Sequence, residues 1–200
     1  MKKLIILTGL IIFSTLLSFY FYKNNGENVM LNNSSKADAK EQEKILVAYF
    51  SRTGEQYGVG NIQEGNTAII AKMIAKKTSG DLFEIKPLKD NYPSKYSSLT
   101  QFAKEEKMQN LRPELKDKVE NFSKYDTIFI GYPNWWGDMP MPVYTFLESY
   151  DFKGKKLYHF CTHEGSGGAK EGLSLYGHTA QNDRIEADKK VTQWLKGLGY

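Results

Sequence analysis

The stretch Ile45-Leu46-Val47-Ala48-Tyr49-Phe50-Ser51-Arg52-Thr53-Gly54 decides the fold. Its first six residues form an unbroken apolar run, the pattern of a strand covered on both faces and therefore of a parallel sheet. Hydroxyls and a glycine then take over, so the strand ends in a polar loop. Past an excursion of eleven residues (55–65), Ala68, Ile69, Ile70, Met73 and Ile74 recur at helical spacing within residues 67–77. Asn66 or Thr67 is placed to cap that helix. The first unit is therefore strand, polar loop, helix. Further strands are expected at 81–85, 127–130 and 157–161, and helices at 95–108, 143–150 and 185–198, the last with Val191, Trp194, Leu195 and Leu198 on one face. This alternation implies an α/β fold with a doubly wound parallel sheet. In such a sheet ligands bind beyond the carboxyl ends of the strands, where strand order reverses.

The chain has 200 residues, of which 40% are hydrophobic, 25% charged and 14% aromatic, a composition that suits one folded domain with a short appendage. The appendage is at the N-terminus. Lys2 and Lys3 precede an uncharged stretch of 19 residues, 4–22, ending in Phe19-Tyr20-Phe21-Tyr22. As a helix it would be roughly 28 Å long. No A-x-A cleavage site follows, which favours an uncleaved membrane anchor over a signal segment, with the lysines on the cytoplasmic side and the rest of the chain extracytoplasmic. Residues 23–44 are polar and read as a tether, and the domain spans 45–200.

Net charge is +4, but beyond residue 30 there are 24 basic and 22 acidic side chains. They are interspersed and form no basic stripe, which argues against nucleic acid as a partner. The single cysteine, Cys161, forms no intramolecular disulfide, CxxC pair or multi-cysteine metal site, and reads as a buried small side chain. His163 has no second metal ligand of suitable type in its loop, so no metal is expected.

Three loops carry the chemistry. After the first strand, Ser51, Arg52, Thr53 and Gly54 converge with Asn66 and Thr67 on a helix start, where free amides and the helix dipole favour a phosphate monoester. Gly60 and Gly65 mimic P-loop spacing, but Asn66 stands where that motif needs lysine, and no strand immediately precedes Gly60. After the third strand, Pro133-Asn134-Trp135-Trp136-Gly137 runs on to Pro140 and Pro142. The prolines forbid a regular helix, so two tryptophans sit on a stiff loop suited to stacking on a flat ligand. After the fourth strand, Thr162-His163-Glu164-Gly165-Ser166-Gly167 lets backbone and polar atoms approach a ligand edge. Glu164 occupies the position that a GxSxG hydrolase elbow reserves for glycine.

A phosphate cradle, an aromatic wall and a polar-edge clamp suit flavin mononucleotide (FMN) better than a sugar phosphate. On these three motifs, in this order, the chain from residue 45 onward resembles the flavodoxin family, most closely variants with an extended phosphate loop and a tryptophan-rich second loop. The resemblance implies that Ser51, Thr53, Asn66 and Thr67 hold the phosphate, Trp135 or Trp136 faces the isoalloxazine, and residues 162–167 border its pyrimidine edge. Arg52 and His163 would be cations near the ring, and no residue is assigned a catalytic role. The implied function is electron transfer to a redox partner protein or small acceptor. An FMN-dependent NAD(P)H:quinone or nitro-reductase is one alternative, and a non-redox extracytoplasmic binding module is another.

The chain departs from the family in two respects. Flavodoxins proper are strongly acidic and this domain is not, so their docking to basic partners does not transfer. Residues 167–171 are also too few for the helix that precedes the fifth strand, since a parallel crossover takes about a dozen residues. Either residues 173–176 are not a parallel fifth strand or that helix is missing.

Overall fold

The computed structural model describes residues 43–168 and 171–200. The anchor or signal segment and nearly all of the tether lie outside them, and no helix among the described residues is long and apolar enough to cross a membrane. In chain order the elements are β1 (Ile45–Tyr49), β2 (Gly54–Gln56), β3 (Gly60–Ile62), α1 (Asn66–Thr78), β4 (Asp81–Glu84), α2 (Tyr96–Met108), a 3₁₀ turn (Phe122–Lys124), β5 (Thr127–Pro133), α3 (Met141–Glu148), β6 (Lys156–His163), β7 (Leu173–Tyr176), α4 (Gly177–Asn182) and α5 (Arg184–Leu198). Five strands form one sheet in the order β4-β1-β5-β6-β7, every pairing parallel. The apolar run at residues 45–50 is thus a central strand, and both its faces are buried as expected.

Side chains alternate between two cores, one on each face of the sheet. Leu46, Ala48, Ile128 and Ile130 pack with α2 and α3 residues such as Leu99, Val143 and Phe146. Val47, Phe129, Phe160 and Leu175 pack with Ile70 and Ile74 of α1 and with Val191 and Leu195 of α5. Phe129 and Phe160 are fully buried, and each contributes about 1.5–3 kcal/mol by leaving water. Cys161 is buried, which pushes its thiol up to about 12 and keeps it protonated near neutrality.

The fifth strand is parallel, and no described residue of the link from β6 to β7 is helical. A short link suffices because β7 starts opposite Phe160, in the upper half of β6. The chain therefore steps back about three residues, roughly 10 Å, and not the full strand length. β7 buries Leu173 and Leu175 on the face that packs with the core of α1, α4 and α5, and exposes Ser174 and Tyr176 on the other. The excursion after β1 is a two-stranded antiparallel hairpin, β2-β3, which periodicity does not reveal.

Candidate functional site

A cleft of about 470 Å³ opens beyond the carboxyl ends of β1, β5 and β6, where the strand order reverses. Ligand pockets of small-molecule proteins span roughly 300–1,000 Å³. Asn134, Trp135, Trp136 and Gly137 line it from the loop after β5, and Thr162, His163, Glu164 and Ser166 from the end of β6 and its loop. Asn66 enters from the start of α1. Gln56 and Tyr57 of the hairpin and Tyr96, Leu99, Thr100 and Ala103 of α2 complete the lining.

The α1 start is built differently from the capping expected at Asn66 or Thr67. Gly65 is the N-cap and offers no side chain, while Ser51 Oγ accepts the Ala68 N–H at 3.1 Å from across the loop. That hydroxyl keeps its own proton to donate. Ile69 N–H is bonded to the Gly65 carbonyl, so the amides of Asn66 and Thr67 remain as the donors at this helix end. Thr67 is buried, its Oγ1 2.8 Å from Thr162 Oγ1, which ties the helix start to β6.

The tryptophans divide their roles. Trp135 packs inward, edge-on to Phe50 at 5.3 Å between ring centroids and near Tyr92. Trp136 is 51% exposed and has φ 56°, a left-handed conformation that is an outlier for so large a side chain. The surroundings over-determine it. Its indole Nε1–H donates to the Thr100 carbonyl at 2.9 Å, Lys104 Nζ lies 5.2 Å from the ring centroid, and Lys107 Nζ donates to its carbonyl. Asn134 Oδ1 accepts the N–H of Gly137, itself at φ 74°. Strain of this kind costs on the order of 1–3 kcal/mol and concentrates at functional sites.

On the opposite rim, His163 Nδ1 accepts the Gly165 N–H at 3.1 Å, so the neutral ring carries its proton on Nε2 and donates it to Ser174 Oγ at 2.8 Å. Burial holds this imidazole below its ordinary value. Asn134 Nδ2 donates to the Gly167 carbonyl at 2.7 Å, joining the two loops. Glu164 accepts from the His178 N–H and faces its Nδ1 at 2.8 Å.

Of the residues singled out in the sequence, Asn66, Asn134, Trp135, Trp136, Gly137, Thr162, His163 and Ser166 meet in this cleft. Ser51, Arg52 and Thr53 instead line a separate, smaller hollow of about 170 Å³, together with Gly65 and Ala68. Arg52 is the clearest correction. Its guanidinium pairs with Asp90, donates to the Tyr92 carbonyl and stacks on the Tyr92 ring at 5.2 Å, so it secures the loop and does not line the cleft as a cation. Gly54 begins β2 at φ 87°, Pro133 ends β5, and Gly165 and Gly167 supply turns at positive φ. None of these four, nor Thr67, lines either hollow. Sequence reading missed Gln56, Tyr57, Tyr96, Leu99, Thr100 and Ala103. Tyr57 carried a signal, as an aromatic residue in a polar excursion beside the phosphate loop. Among the described residues no cluster of metal-ligating side chains occurs.

A model of the flavodoxin family matches residues 44–176. No curated protein matches the chain. Among solved structures, a candidate flavoprotein from Bacteroides uniformis is 31% identical, with 78% of this chain and 99% of that one covered and a TM-score of 0.59. One from Bacteroides eggerthii is 29% identical, with 78% and 98% covered and a TM-score of 0.58. A flavoprotein from Lactobacillus acidophilus, solved in complex with FMN, is 20% identical, with 76% and 99% covered and a TM-score of 0.54, a likeness of fold. With a family match over well more than half its length, the chain belongs to the flavodoxin family.

Proposed function

We propose that this chain binds FMN in the cleft and serves as an electron carrier. The carrying observation is Trp136, a half-exposed indole held in a strained backbone conformation at the wall of a cleft that also contains a helix start and a polar rim. The residues present fit the group. Trp136, Leu99 and Ala103 offer apolar surface for a flat ring, Thr162, His163 and Ser166 offer polar atoms for its edge, and the amides and side chain at the start of α1 offer donors for a phosphate. Bound there, the flavin supplies reversible one- and two-electron chemistry. The chain's own part is to bind, orient and exclude water: Trp136 covers ring surface, and neutral His163 fixes the 163–167 loop without adding charge. FMN added to the purified protein should give perturbed visible bands and quenched fluorescence. Unperturbed bands and full fluorescence would exclude this function.

A reductase is the second reading. Tyr57, 62% exposed, and Tyr96 stand 5.7 Å apart at the cleft mouth, an aromatic pair able to seat a flat acceptor such as a quinone. Turnover of NAD(P)H with a quinone or nitroaromatic by the loaded protein separates the two. We further propose that the N-terminal segment places the domain on the extracytoplasmic face of a membrane, where a redox protein or small acceptor would be its partner.

A further inference from the structure

Asn66 is a cleft residue whose polarity is open to choice. Its amide has one acceptor end and one donor end, and the end that faces a ligand decides whether an anion is attracted or repelled. The neighbouring helix makes that choice. Gln181 Nε2 in α4 donates to the Glu64 carbonyl at 2.6 Å and to Asn66 Oδ1 at 2.8 Å. A backbone carbonyl can only accept, so the Gln181 amide is oriented by it and in turn orients Asn66. Oδ1 is thereby committed to Gln181, and Nδ2, which lies against Gly177 at the start of α4 and takes no hydrogen-bond partner among the described residues, is the donor left for a ligand in the cleft that Asn66 lines. Gly177 supplies the room, since a Cβ there would stand 2.2 Å from Asn66 Nδ2. Glu164, the one carboxylate lining the cleft among the described residues, is engaged by the backbone and ring of His178. Gln181 lines neither hollow and lies beyond the stretch matched by the family model.

We propose that Gln181 is a positioning residue which holds Asn66 with its Nδ2 donor toward the cleft and so makes the start of α1 selective for the phosphate of its ligand. The proposal rests on the FMN reading above.

The test titrates FMN and riboflavin, which lacks the phosphate, into the full chain and its variants, following flavin fluorescence. In Gln181→Glu a carboxylate that only accepts draws Asn66 Nδ2 toward itself and turns Oδ1 to the cleft. FMN affinity should fall by about tenfold or more, and riboflavin affinity should stay within about twofold. Gln181→Leu, which orients nothing, should lose less. In an Asn66→Ala background Gln181→Glu should add almost nothing, because the two residues act as one unit. Unchanged FMN affinity in Gln181→Glu overturns the proposal. So does an equal loss for riboflavin, or a full additional loss on top of Asn66→Ala. A wild-type chain that binds no FMN overturns the functional reading and this proposal together, whereas FMN binding indifferent to residue 181 overturns this proposal alone.

Discussion

At Gly65 the backbone is ordinary, with φ −67°, yet a Cβ there would stand 2.2 Å from Ser51 Oγ and 2.6 Å from the Arg52 carbonyl oxygen. The need for glycine is steric. It lets the β1 loop close onto the start of α1, so that Ser51 serves as the cap Gly65 itself cannot provide. Gly65→Ala should push the loop off the helix and cost about 1–3 kcal/mol of stability by overpacking, read as a lower denaturation midpoint, with FMN affinity falling alongside. The histidines give a second prediction. Burial holds both His159 and His163 below the ordinary imidazole value of 6.5, so in acid the unfolded chain takes up their protons more readily than the folded one. The stability supplied by the neutral rings is complete above 6.5 and is lost as pH falls through the depressed folded values. Urea midpoints should therefore drop on acidification across that window. His163→Gln, which cannot gain the proton that breaks the Gly165 bond, should flatten the drop.

The element that departs most from expectation is β7. It needs no crossover helix because it pairs with only the upper half of β6, from Phe160↔Leu173 to His163↔Tyr176. Its approach depends on Gly172, where a Cβ would stand 2.3 Å from the His159 carbonyl oxygen, an atom of the neighbouring backbone. Gly172→Ala should lift the link from β6. Amide exchange at residues 173–176 should speed up before that of β1 or β5, with a cost of about 1–3 kcal/mol. An exchange pattern unchanged at β7 would show that the strand is held by its side chains Leu173 and Leu175 instead. The hairpin β2-β3 poses the opposite problem of legibility. Gly54-Glu55-Gln56 and Gly60-Asn61-Ile62 lack the apolar alternation that marks a strand. What holds them is contact with the start of α2: Glu55 N–H donates to the Ser94 carbonyl at 3.1 Å and Glu55 Oε2 accepts the Tyr96 N–H at 2.7 Å. Such partners are invisible to a local pattern. They also carry Tyr57 to the cleft.

At the scale of the whole molecule, the sheet order places the loops after β1 and β5 on either side of a reversal, and the cleft is the gap they leave. The chain enters this sheet at its opposite end, where Glu43 Oε1 accepts from Thr127 Oγ1 at 2.6 Å and Lys156 Nζ at 2.8 Å. If the N-terminal segment is an anchor, the full-length protein should sediment with membranes, resist a high-salt wash and be released by detergent. Release by salt alone would mean that scattered lysines, and not the apolar segment, hold it there.

The amino-acid sequence by itself determined the succession of buried strands, amphipathic helices and three chemically distinct loops, because periodicity and loop composition are properties of neighbouring residues. Tertiary structure decided which loop residues face one another. Arg52 was drawn to Asp90 and Tyr92, Trp136 was fastened to Thr100, and Asn66 was turned by Gln181. Each of these partners lies tens of residues away, so the direction of each side chain follows from how the helices pack on the sheet and not from its own surroundings in the chain.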